Sequence, residues 1–188
     1  PECNGVHLQP EEWCAWQEPP PGQPARPPRQ GAEAVAREVV ARLQLPPANP
    51  QVGPDPSWNE WNMAVVGHPL WLWVDGQNTL ASSNSAYGID VTLTATHERT
   101  TFAMGDGTTV TCASTQPYPR GAVEAGTPSP VCGHTYQKAP QHGTYPVSAT
   151  THWRVAWSAA GYTGTLSTTM TASRDLPVGE LQAVVVRR

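Results

Sequence analysis

From Tyr145 to Trp157 every second residue belongs to one series: Val147, Ala149, Thr151, Trp153, Val155 and Trp157 all fall on one face at period two. This is the strongest periodicity in the chain, and it predicts a long half-buried strand. Thirteen residues of unbroken alternation would run roughly 40 Å at strand rise, beyond the common strand of about 5–6 residues. Such a strand must bend or project past the layer that covers it. A second alternation precedes it, with Ile89, Val91, Leu93 and Ala95 set against Asp90, Thr92, Thr94 and Thr96. Thr101–Ala103 leads into Met104-Gly105-Asp106-Gly107, a tight turn, and Thr108–Ala113 returns.

Upstream, Met63–Val66 and Pro69–Val74 read as strands separated by Gly67-His68-Pro69, a bulge or edge break. Leu70, Leu72 and Val74 face one side and Trp71 and Trp73 the other, so both faces need a cover. Asp75–Asn78 turns the chain, and Ser82–Ser85 reads as loop. After the long strand, Ser158–Gly164 is a turn and Thr165–Ser173 goes back, with Leu176–Val186 expected as a closing strand. The expected total is about seven or eight strands.

The first third is different. Residues 1–16 hold two Cys and two Trp among polar residues and suit a small disulfide-closed segment; residues 17–30 carry six prolines in fourteen positions and read as a stiff, polyproline-like spacer. Over 31–45, Ala32, Val35, Val39, Val40 and Leu43 form one apolar stripe between Glu33, Arg37, Glu38 and Arg42, which predicts an amphipathic helix ended by Pro46-Pro47. Residues 46–62 are expected as an extended connection, and 63–188 as the β-sandwich.

Composition narrows the function classes. A chain of 188 residues with 38% hydrophobic content supports one sizeable core with an arm. Net charge is −4 and basic residues do not cluster beyond Arg187-Arg188, which argues against nucleic acid as a partner. No apolar run approaches the roughly 20 residues of a membrane helix, so no membrane span is expected. Lys138 is the lone lysine and Ile89 the lone isoleucine, a bias typical of GC-rich codons and of a high-GC bacterial source. Because Pro1 stands where Met would open a chain, removal of a leader is expected. Four cysteines fall into two local pairs, Cys3 with Cys14 and Cys112 with Cys132. An even count with such spacing points to disulfides in an oxidising compartment, although four cysteines allow three connectivities.

Candidate chemistry is thin. His7, His68, His97, His134, His142 and His152 show no HxH or HxxxH spacing, and no GxSxG-like nucleophile turn is present. Only Cys132-Gly133-His134 approaches zinc-ligand spacing. Asp106 and nearby carbonyls offer a calcium reading, but hard-cation sites gather several carboxylates in one loop. No catalytic residue, metal or cofactor is therefore expected, and melting with calcium or chelator tests the exception. Eight tryptophans against one phenylalanine stand out. Trp71, Trp73, Trp153 and Trp157 lie on strands, where they fill a core or else form stacking platforms for a glycan or a protein.

The stretch Thr101–Thr150 resembles the polycystic kidney disease (PKD) domain family. The residues that carry the likeness are Phe102–Gly107, His134-Thr135-Tyr136 and Gly143-Thr144-Tyr145-Pro146-Val147. The wider sequence resembles secreted proteins of actinobacteria, a likeness that implies no activity. The PKD resemblance implies a mainly β, Ig-like antiparallel sandwich used outside the cell, with Gly105, Asp106, Gly107, His134 and Tyr136 in structural roles. It also marks two additions where a partner is expected: the segment holding Cys112 and Cys132, and the hairpin from Trp153 to Ser173. The function expected is a non-enzymatic, secreted or cell-surface structural or adhesive subunit. It would associate with its own copies, as a fibre or surface array built through the N-terminal arm, or with another cell-surface protein. The alternative is a carbohydrate-binding module using tryptophan platforms.

Overall fold

The computed structural model describes residues 29–181 and, ahead of them, the backbone of two paired two-residue strands, β1 (Glu2–Cys3) and β2 (Val6–His7). Helix α1 (Arg29–Ala41) follows. Then come β3 (Pro50–Gly53), a 3-10 turn (Pro56–Trp58), β4 (Ala64–Val65), β5 (Leu70–Val74), β6 (Thr79–Ala86) and β7 (Ile89–Ala103). The last four are β8 (Thr109–Cys112), β9 (Gly133–His134), β10 (Thr144–Ala159) and β11 (Tyr162–Gly179). The protein is mainly β, with its sheets packed face to face. No helix among the described residues is long and apolar enough to cross a membrane.

A large sheet runs β4-β11-β10-β7-β6, and β8 shares with β6 the same edge of β7. The periodicity that dominates the sequence is its spine. In β10, Val147, Ala149, Thr151, Trp153, Val155, Trp157 and Ala159 are all buried. The opposite face is hydroxylated, with Thr92, Thr94 and Thr96 of β7 and Thr165, Thr169 and Thr171 of β11 exposed.

Two separate covers lie on the inner face of this sheet. At one end the three-stranded sheet β3-β5-β9 packs against it and encloses Val52, Leu70, Leu72, Phe102, Met104, Val147, Ala149 and Leu176. At the other end α1 lies on β7, β10 and β11, and Ala32, Val35, Ala36, Val39 and Val40 meet Val91, Leu93, Ala95, Trp153, Val155 and Trp157. The long strands do project beyond the sandwich, and the helix is what covers the projection.

Between the covers the buried residues turn polar. Thr100 and Thr151 are buried; the Trp153 indole N–H donates to Thr151 Oγ1 at 3.0 Å, and His97 Nε2 lies 2.9 Å from Thr100 Oγ1. A β-bulge falls at the same level, because Arg99 faces His152 and His97 faces Trp153, leaving Glu98 as the extra residue. Arg154 Nε donates to Glu98 Oε1 at 2.7 Å on the outer side.

Several sequence expectations need correction. Ser82–Ser85 is not loop but part of β6, an edge strand whose exposed small polar residues carry little hydrophobic signal. Thr165–Ser173 and the start of the expected closing strand form one strand, β11. Across Arg174-Asp175, Leu176 and Val178 continue the inward parity of Leu166, Met170 and Ala172. Residues 182–186 of that closing strand lie outside the described residues. The connection 46–62 contains β3, which enters the second sheet with Pro50 at its first position, where no ladder N–H is required. The helix starts at Arg29 and stops at Ala41; Arg42 and Leu43 close on Val39 and Val40 carbonyls, and Leu45 stays buried beyond the helix.

Candidate functional site

Polar side chains from three separate segments converge at the turn after β7. Gly105 and Gly107 take φ of 81° and 90°, a region open to glycine without the Cβ clash other residues meet. A Cβ on Gly105 would lie 2.9 Å from Pro146 Cδ, so the turn needs glycine for space as well. Asp106 points back into the fold: Oδ1 accepts the Thr108 N–H at 2.8 Å, and Oδ2 lies 2.9 Å from His134 Nε2. Burial pushes the Asp106 carboxyl up, but the hydrogen bonds from Thr108 and His134 outweigh it and hold the group below its ordinary range.

His134 packs edge-on against Tyr136 at 4.6 Å, and Tyr136 stacks on Tyr145 at 4.7 Å with rings 9° apart. The buried Tyr136 hydroxyl donates to the Met104 carbonyl at 2.8 Å. Burial, aided by the negative charge of Asp106, pushes the phenol far up, so it stays a donor. The Gly-Asp-Gly, His-Thr-Tyr and Gly-Thr-Tyr segments thus meet in space, and each polar group there serves another part of the fold. Beside them the Cys112–Cys132 disulfide, with Cα atoms 5.7 Å apart, closes the loop that carries Tyr118 and Thr127. The Cys3–Cys14 pairing lies outside the described residues.

Both Asp106 oxygens are engaged within the fold. Among the described residues no three His, Cys, Asp or Glu side chains gather as a metal site. His97 and His152 come near each other on opposite faces of the bulge, where His152 lies between Arg99 and Thr101. Burial holds the His97 imidazole below its ordinary range.

The four strand tryptophans do not form an exposed platform. Trp71 is 2% exposed: Tyr118 packs edge-on at 5.6 Å and the indole N–H donates to the Thr127 carbonyl at 2.8 Å. The disulfide loop therefore covers this face of β5. Trp73 is half-buried and donates to Asp75 Oδ1 at 3.2 Å. Trp153 and Trp157 are core residues beneath α1, and a Cβ on Gly164 would come within 2.7 Å of the Trp157 ring. As stacking platforms, Trp71, Trp153 and Trp157 are ruled out by burial.

Among the described residues the exposed indoles are Trp58 at 43% and Trp61 at 50%, both in the stretch expected as an extended connection. Asp55 Oδ1 accepts from the Ser57 N–H and fixes the 3-10 turn that presents Trp58. The Arg120 guanidinium sits 4.3 Å from the centre of that ring. Trp61 borders an apolar groove of about 380 Å³ that also includes Pro54, Met63, Val65 and Leu181. The sequence signal was the pair of tryptophans flanked by Asp, Pro and Asn in Pro54–Asn62, where turn residues hold them off any strand.

Fold and site together define a disulfide-bridged β-sandwich with a helix-covered extension, whose converged polar residues are occupied by internal contacts. Compared with known proteins, the chain matches no family model, no curated protein and no solved structure.

Proposed function

We propose that this protein is a non-enzymatic, PKD-like sandwich module acting outside the cell as a structural or adhesive subunit that associates with its own copies. The observation that carries this reading is the polar corner, where Asp106 is bonded to Thr108 and His134 and the Tyr136 hydroxyl to the Met104 carbonyl, so that these side chains tie three segments of the fold together. The Cys112–Cys132 bridge suits an oxidising compartment. Helix α1 packs on its own sheet, so any role of the N-terminal arm in assembly falls to the residues ahead of the helix.

Sedimentation velocity of the full chain from about 1 to 100 µM tests the reading. Concentration-dependent association is expected, and a monomer throughout that range overturns it. Exposed Trp58 and Trp61 favour a second reading as a glycan-binding module. Titration with chitin or cellulose oligosaccharides should then shift indole fluorescence in the wild type and not in Trp61→Ala.

A further inference from the structure

Strand β11 is bonded on one side to β10 from Tyr162 to Pro177. On its other side the only strand among the described residues is β4, which reaches just Val178 and Gly179. From Thr163 to Asp175 the second edge therefore has no strand partner among the described residues. In an antiparallel ladder about half of the N–H and C=O groups of such an edge point outward without a strand partner.

Proteins normally guard edges of this length with lysine, proline, a bulge or a short strand. Between Thr163 and Ser173 there is no charged residue and no proline, and the pairing with β10 runs without a register shift. The inner side of the edge is also unfinished. Leu166 and Met170 pack against the helix-covered core yet remain only partly buried.

We infer that this edge is the surface through which two copies join, β11 pairing antiparallel with β11 of a second copy around a two-fold axis near Thr168. The inference rests on the subunit reading above and names its contact. In this register Leu166 faces Met170 and Thr165 faces Thr171, so apolar meets apolar, hydroxyl meets hydroxyl and no like charges oppose. Each copy completes the burial of the other's Leu166 and Met170, and the helix-covered core continues across the axis. The Pro-rich stretch 17–30 is a worse occupant, because its six prolines have no N–H to give to a ladder.

The test uses the full chain with Thr165→Lys/Thr171→Lys and Thr165→Glu/Thr171→Glu. Both positions are exposed and pair with Ala156 and Thr150, so neither change places a like charge beside its partner on β10. Each variant alone should dissociate at least about tenfold more readily than the wild type by sedimentation velocity, with unchanged circular dichroism. Mixing the two should restore a mixed dimer, which a merely structural effect would not do. If the wild type associates and the lysine variant associates equally, the edge is the wrong surface while the subunit reading stands. If the wild type is monomeric at about 100 µM, both are overturned.

Discussion

Beneath α1 the strands β7 and β10 bury a simple stripe, Val91, Leu93, Ala95, Val155 and Trp157, against one helical face. At the other end the same two strands, joined by β11, bury Phe102, Val147, Ala149 and Leu176 under a second sheet, a disulfide and a hydrogen-bonded aromatic corner. In β10 the inward pattern is continuous from one end to the other, and in β7 it resumes after the bulge at Glu98, but the means of holding the cover differ. The helix is held by apolar area, with one long hydrogen bond from the Tyr87 hydroxyl to Glu38 at 3.4 Å and with its ion pairs, Glu33–Arg37 and Glu38–Arg42, on the solvent side where such pairs add little. The sandwich end adds covalent and polar constraints. Period-two alternation thus specifies that a face is covered without specifying by what, and the polar waist at Thr100 and Thr151 marks where one cover gives way to the other.

The sharpest way to separate the ends is to damage one core. Trp157→Ala should cost about 3–5 kcal/mol, the usual range for a large buried aromatic, and urea unfolding followed by circular dichroism would measure it. Next in size is the bridge. Cys112→Ala/Cys132→Ala should cost about 3 kcal/mol by loop entropy and should loosen the loop over Trp71, raising quenching of indole fluorescence by iodide. Tyr136→Phe should cost about 1–3 kcal/mol, because it leaves the Met104 carbonyl buried without its donor.

The smallest expected effect is on pH dependence. The folded His97 holds its proton less tightly than the unfolded chain does. Its contribution is complete above the ordinary value of 6.5 and is lost as pH falls below it. Asp106, also lowered, acts in a more acidic window, below its ordinary 3.8. Melting temperatures should therefore fall between pH 7 and 5 less steeply in His97→Gln than in the wild type, while Asp106→Asn should leave that interval unchanged.

Much of the fold was legible because its long strands alternate strictly and its turn residues are local. Gly105-Asp106-Gly107 marked its own corner, and the His-Thr-Tyr and Gly-Thr-Tyr segments meet there. The stripe Ala32-Val35-Val39-Val40 gave the helix, yet nothing within it told which surface it would bury. β6 was missed because Ser82–Ser85 shows no apolar alternation, being an edge strand with one face in solvent. Trp71 and Trp153 were ambiguous for a different reason: an indole is equally suited to a core or to a platform, and the choice depended on Tyr118 and α1, distant in sequence.

Hydrogen exchange by mass spectrometry on Val39→Asp tests the division into two covers most directly. Val39 is buried at the centre of the helix–sheet contact, and a carboxylate there must lift α1. Amides over 91–95 and 155–159 should then exchange about a hundredfold faster or more, while those over 100–103 and 147–150 keep their wild-type protection. Equal acceleration in both sets would mean a single cooperative core and would contradict the account.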